Sequence, residues 1–261
     1  KVSKGKSELY LLGSIHFLKK ENYPLPAAME RAFAGADSAV FEMDLDIAES
    51  GNQKMVLLSK GMYPDDQSLS KKIGKDTYGL ARKSMNSFGL PIEQMEKFKP
   101  WFISLFMMTL KLQKSGFNPE YGVDKYFFAE GKKKGKRIAS LETFEEQTDM
   151  FDGLPEKDQE MLLVQTVTEL ERMDSEVREL VNAWSRGDAD TMEKMILKSY
   201  RDHPVLYERL ILQRNKKWLL RIEELLNQRG THIVIVGAGH LVGRDGLVSE
   251  LQQRGYTVTQ Q

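Results

Sequence analysis

Thr231-His232-Ile233-Val234-Ile235-Val236 runs directly into Gly237-Ala238-Gly239-His240. The run is β-branched, unbroken and apolar from Ile233 onward, which predicts a central strand buried on both faces, as in a parallel sheet. Downstream, Asp245 reads as the N-cap of a helix carrying Leu247, Val248 and Leu251, and Gly255 precedes a last strand from Tyr256 to Thr259. Upstream, Leu9-Tyr10-Leu11-Leu12 stopped by Gly13, Ser38-Ala39-Val40-Phe41, and Arg137-Ile138-Ala139-Ser140-Leu141 read as further strands. Between the first two, Met29, Ala32 and Phe33 give Ala27 to Ala34 a helical spacing.

The middle of the chain reads as helix. From about Asp46 to Gly135 the apolar positions recur at helical intervals, broken by residues such as Pro64, Pro91, Pro100 and Pro119. A second block runs from about Pro155 to Gln228, where Trp218, Leu219, Ile222, Leu225 and Leu226 form one apolar stripe. The expected fold is α/β: a mainly parallel central sheet formed by the N- and C-terminal parts, with large helical insertions at about 47–134 and 155–228 forming a cap on a single domain of residues 1–261. The stretch Trp101-Phe102 to Met107-Met108 reads as core, or else as the lining of a groove for apolar peptide or lipid groups.

Composition removes several classes of function. At 261 residues, 41% hydrophobic and 29% charged, the chain is an ordinary globular protein with room for a sizeable core. Its 38 Lys and Arg balance its 38 Asp and Glu, so no net charge draws it to nucleic acid or an anionic membrane. Lys132-Lys133-Lys134 reads as a solvated helix end. Without cysteine there is no disulfide frame, thiolate metal site or Cys nucleophile. The apolar run Trp101 to Leu110 contains Ser104 and Thr109 and stops at Lys111, far short of the ~20 residues of a spanning helix. The start at Lys1 rather than methionine suggests that a native N-terminus, with any signal peptide or anchor, has been lost.

Four of the expected strands end on a residue able to bind metal or move protons: His16 after Gly13-Ser14-Ile15, Glu42 after Phe41, Glu142 after Leu141, and His240 after Gly237-Ala238-Gly239. Ligands of open α/β sheets lie at the carboxyl ends of the strands, where these four can converge. His16 and His240 share the frame Gly-x-x-His, in which glycine lets the chain turn sharply out of the strand. Two imidazoles and one or two carboxylates suit Zn²⁺, Mn²⁺, Co²⁺ or Fe²⁺, and an ion so held activates water. Blander readings stand beside these: each histidine as structural, Glu42 as part of a solvated acidic strand end, Glu142 as a charge at a helix N-terminus. Arg214-Asn215 either holds a carboxylate or oxyanion over the site or lies on a solvated helix face. His203 and His232 read as surface or turn residues. Gly237 to Gly243 is one residue too long for the dinucleotide fingerprint, and no nucleophile elbow, Walker A loop or zincin helix occurs.

Leu9 to His16, Phe41-Glu42-Met43-Asp44, Tyr121-Gly122-Val123-Asp124, Gly135 to Thr143 with Glu146-Gln147, Arg214-Asn215, and Val236 to Gly243 together resemble the TraB/PrgY/GumN family, which includes the animal Tiki proteins. The resemblance implies a fold of the erythromycin esterase and ChaN-like type and a Mn²⁺- or Co²⁺-dependent peptidase. In that reading His16, Glu42 and His240 are metal ligands, Glu142 is a further ligand or general base, and Arg214 and Asn215 orient the substrate or stabilise the oxyanion. Tyr121 and Asp124 match the remaining motifs without an assigned role. The implied partners are Wnt-like or pheromone-like peptides, with a homodimer in view, and the implied setting is extracytoplasmic and bacterial. Two other readings come with the fold: a protein that sequesters a peptide or haem-like ligand without turnover, and a small-molecule esterase.

Overall fold

The computed structural model describes residues 1–5, 7–200 and 203–261. Six strands form one sheet: β1 (Val2–Lys4), β2 (Ser7–Ser14), β3 (Ser38–Phe41), β4 (Arg137–Ser140), β5 (His232–Gly237) and β6 (Thr257–Val258), in the order β4-β3-β5-β2-β1-β6. β5 is parallel to β2 and β3, and β3 is parallel to β4. β1 pairs antiparallel with β2 and β6. The mainly parallel α/β sheet is as expected, whereas β1 goes unread in the sequence because three residues carry too little pattern.

Two compact units divide the chain: Lys1–Leu45, Phe117–Thr143 and Arg178–Gln261 form the first, Asp46–Gly116 and Phe144–Val177 the second. In the first, β5 is buried on both faces, from His232 through Val236. One face packs Val234 and Val236, with Leu9 and Val40, against the stripe Trp218, Leu219, Ile222, Leu225 and Leu226 of the Gln213–Leu226 helix. The alternate residues Ile233 and Ile235 are equally buried on the other face. Phe33 and Phe41 of this unit pack on Phe127 and Phe128 of the Val123–Lys133 helix, the first pair tilted and the second edge-to-face, with centroids 4.7 and 5.2 Å apart.

The second unit is helical. Its Pro100–Lys114 helix buries Trp101, Ile103 and Met107, and the last two share a core with Leu69, Ala81, Met85, Ile92 and Leu163. That stretch is therefore core. Among the described residues, no helix is long and apolar enough to cross a membrane.

Two local expectations are corrected. Asp245 does not cap the Leu247–Gln253 helix; Gly246 takes the N-cap position, because a Cβ there would meet the Val242 carbonyl oxygen at 2.4 Å. The Asp245 carboxylate instead faces the Tyr207 hydroxyl at 3.4 Å. His232 is not a surface residue but 2% exposed, its Nδ1 at 2.6 Å from Ser38 Oγ. It opens the central strand, where Leu9 and Ser38 flank it in register. Burial, then the charge of Arg137, lowers its pKa. His203 does lie at a turn, N-capping Pro204–Tyr207.

Candidate active site

Register brings the strand ends level. Ser14 pairs with Gly237 across β2 and β5, and beyond the end of β3 the Glu142 N–H donates to the Glu42 carbonyl at 2.9 Å. The first Gly-x-x-His turn leaves β2 at Gly13, where a Cβ would lie 3.0 Å from Ala238 Cβ, so only glycine lets the two strand ends approach. His16 is then held by the Tyr121-Gly122-Val123-Asp124 segment. The Val123 N–H donates to the Ile15 carbonyl at 3.0 Å, Gly122 leaves room for the His16 carbonyl, which a Cβ would meet at 2.6 Å, and Asp124 Oδ2 lies 3.0 Å from His16 Nδ1. Tyr121 itself packs on Tyr23, whose hydroxyl donates to the Tyr121 carbonyl at 2.9 Å.

The second turn has a matching support. Asn215 Oδ1 lies 2.8 Å from His240 Nδ1, and its Nδ2 donates to the carbonyls of His240 and Asp245 at 3.2 and 2.9 Å. Asn215 is 2% exposed, so its amide works inside the protein, on the imidazole. Trp218, fully buried one turn further along the same helix, lies 4.5 Å from the His240 ring and 4.4 Å from the Arg214 guanidinium carbon, centroid distances that permit a cation–π contact. The sequence reading missed Trp218 as part of the site, taking it only as stripe. The available signal was its spacing of four from Arg214, which puts both on one helix face.

Arg214 knits the carboxylates together. Its Nη2 donates to Glu42 Oε2 and Glu142 Oε1, each at 2.6 Å, its Nε to Glu142 Oε2 at 3.2 Å, and its Nη1 to His240 Nε2 at 2.9 Å. A guanidinium has no acceptor, so His240 Nε2 must accept; the ring proton sits on Nδ1 and points to Asn215. Arg214 lies two residues beyond a π-helical turn, Glu208–Leu212, and Nη1 also reaches the Leu210 carbonyl at 3.3 Å. π-turns recur at functional sites. The guanidinium is buried rather than on a solvated face.

The two matched histidines differ electrically. The charge of Asp124 lifts His16 from 6.5 to about 9, against the opposing effect of burial. His240, beside a neutral amide, is pushed down to about 3 by burial, Arg214 and His16, with only Glu42 opposing. Burial works to raise the Glu42 carboxyl, yet Arg214, the charged His16 and the Gly237 N–H, which donates at 2.6 Å, hold it down at about 2.

All three side chains face one point. A Cβ on Gly237 would lie 3.3 Å from Glu42 Oε1, 3.6 Å from His240 Cδ2 and 3.8 Å from His16 Nε2. In kind, this donor set fits a divalent ion: each imidazole has its Nδ1 held by an oxygen, which is the outer support that metal-bound histidines carry, with Nε2 on the other side of the ring. As the side chains stand, however, no group of three or more His, Asp or Glu among the described residues is arranged to hold an ion, and the guanidinium is the cation in their midst. A cavity of about 710 Å³, lined by Tyr10, Trp184, Met192 and Leu241 among others, meets the motif turns at Gly13 and Ala238 but includes none of these charged groups.

The family profile described as TraB/PrgY/gumN matches residues 1–260. The chain belongs to that family. Within it, the chain is 23% identical over 248 residues to the uncharacterized protein YbaP of Escherichia coli, covering 95% of this chain and 89% of YbaP. It is also 23% identical over 301 aligned residues to the metalloprotease TIKI2 of Danio rerio, covering 95% of this chain and 57% of that protein. No solved structure matches. Two of the six segments that carry the family resemblance in the sequence clamp the two histidines: Tyr121–Asp124 on His16, Arg214-Asn215 on His240.

Proposed function

We propose that this member of the TraB/PrgY/gumN family is a metal-dependent peptidase, with His16, Glu42 and His240 holding one divalent ion, Mn²⁺ or Co²⁺ before Zn²⁺ or Fe²⁺. The observation that carries the reading is the convergence of His16 Nε2, Glu42 Oε1 and the His240 ring on the space left by Gly237. The metalloprotease name of TIKI2 supports the class of reaction.

A divalent ion at this point would polarise a peptide carbonyl and acidify a water molecule. The remaining work falls to the protein. Asp124 and Asn215 fix the orientation of the two imidazoles, each by holding Nδ1. Glu42 stays ionised well below neutral pH because Arg214 and the Gly237 N–H compensate its charge. Glu142 holds the guanidinium through Nε and Nη2, which keeps its positive charge beside Glu42 and His240, where that charge would favour a developing oxyanion. The substrate in this reading is an extended peptide, in an extracytoplasmic setting; Wnt-like or pheromone-like sequences are the first to try.

Incubation of a peptide library with the protein and Mn²⁺ or Co²⁺, read by mass spectrometry, tests this. Cleavage abolished by EDTA and by His16→Ala or His240→Ala in folded protein is the expected result. Peptides that bind but return intact would replace the peptidase with a ligand-sequestering protein.

A further inference from the structure

Arg214 occupies the coordination that the proposed ion needs. Its guanidinium is hydrogen bonded to His240 Nε2 at 2.9 Å and to Glu42 Oε2 at 2.6 Å, while Glu142 holds it by both carboxylate oxygens. We infer that Arg214 is a resident counter-cation which the ion displaces: His240 and Glu42 pass to the ion, and Glu142 retains the guanidinium.

The inference rests on the metal-dependent reading above and adds to it a competition that the sequence does not reveal. An imidazole nitrogen has one lone pair in the ring plane, so His240 Nε2 either accepts from Arg214 or binds an ion, never both. His240 cannot turn its other nitrogen to the ion without losing Asn215, which holds Nδ1 at 2.8 Å. The carboxylates impose the converse requirement. Glu42 and Glu142, 8% and 6% exposed, lie side by side, and two buried anions without a cation would be strongly destabilising. With no ion bound, Arg214 is the cation that bridges these two carboxylates directly.

The geometry also gives the arginine somewhere to go. Nε and Nη2 form the two-pronged contact with Glu142, the strong bidentate arrangement of guanidinium and carboxylate. Only the Nη1 bond to His240 and the second Nη2 bond, to Glu42, must be given up. The face of the group slides on Trp218, whose contact at 4.4 Å is not directional in the way a hydrogen bond is. This assigns Glu142 a role distinct from that of a metal ligand: it is a positioning residue that anchors the displaced arginine.

Calorimetric titration with Mn²⁺ alone, on the wild type, Arg214→Gln and Arg214→Lys, tests the inference, with thermal unfolding of each with and without Mn²⁺ as the second readout. Arg214→Gln is expected to bind Mn²⁺ at least tenfold more tightly and to show a larger Mn²⁺-induced rise in Tm, because it removes the competitor. Arg214→Lys keeps the charge but lacks the planar fork that spans Glu42, Glu142 and His240, so it too should bind more tightly than the wild type. It serves also as the deciding variant where Arg214→Gln does not fold. Equal or weaker binding by Arg214→Lys would overturn the displacement of specific contacts, even where Arg214→Gln binds more tightly through charge alone. Failure of the wild type and both variants to bind any Mn²⁺ would instead remove the metal-dependent reading itself.

Discussion

Replacing Asp124 by Asn takes one charge from beside the His16 ring and preserves the outline of the side chain. The carboxylate lies 3.0 Å from Nδ1. At that distance two unit charges attract by ~1.4 kcal/mol in water and by ~5.5 kcal/mol at an effective dielectric constant of ~20. At ~1.36 kcal/mol per pH unit these bounds correspond to a rise of ~1 and ~4 in the imidazole pKa. The ring is 54% exposed, which screens the pair and places the expected rise between the bounds, consistent with a His16 lifted to about 9. Asp124→Asn should bring it back to roughly 6.5–7.5, since Glu42 continues to favour the charged form. The assay is a proton NMR titration of the ring signals in EDTA, with His16→Gln supplying the assignment. Linkage gives a second readout with a defined sign. A folded-state pKa above the unfolded one adds stability below about pH 6.5, and that stability is lost as pH rises through about 9. The Tm advantage of the wild type over Asp124→Asn should therefore shrink across that interval. A wild-type His16 titrating near 6.5, or one unmoved by Asp124→Asn, would refute the reasoning.

Other perturbations read different parts of the account. Gly237→Ala puts a methyl 3.3 Å from Glu42 Oε1, on the point where the three side chains converge; Mn²⁺ affinity should fall at least tenfold in calorimetry while circular dichroism stays native. Gly79→Ala is the control, on the Lys75–Ser87 helix with nothing within 4 Å of the new Cβ, and should raise stability by about 0.5–1 kcal/mol in urea unfolding. Trp218→Ala should cost about 3–5 kcal/mol, the ordinary penalty for emptying a fully buried aromatic site. Trp218→Phe keeps most of the packing, and a shift of the His240 ring signals in that variant would report the tilted ring contact.

Much of the sheet was legible because β5, β3 and the end of β2 are apolar, largely buried runs, with glycine at the ends of β5 and β2. The sequence singles out His16, Glu42, Glu142 and His240 because each lies within three residues of a strand end, and strand register brings those ends together. What the sequence hides is partnership. Nothing in Gly-x-x-His distinguishes His16 from His240, yet a carboxylate answers one and an amide the other, across 108 and 25 residues of chain, so that one is cationic and the other neutral. The burial of Arg214 was equally hidden, because a basic helix beginning Arg214-Asn215-Lys216-Lys217 looks solvated until the fold turns its first residue inward. Nor does periodicity tell which amphipathic helices pack on the sheet: Val123–Lys133 and the helices from Arg178 onward belong to the sheet-bearing unit, while Pro100–Lys114 belongs to the other. His232 was misread for a related reason, a polar residue at a strand start being buried only because that strand is central.

The most direct test of the central claim is pulsed electron paramagnetic resonance of the protein loaded with one equivalent of Mn²⁺. The account predicts two imidazole nitrogens coupled to the ion in the wild type and one in either His16→Ala or His240→Ala. Mn²⁺ with no coupled nitrogen in the wild type, or with the same couplings in all three proteins, would contradict it.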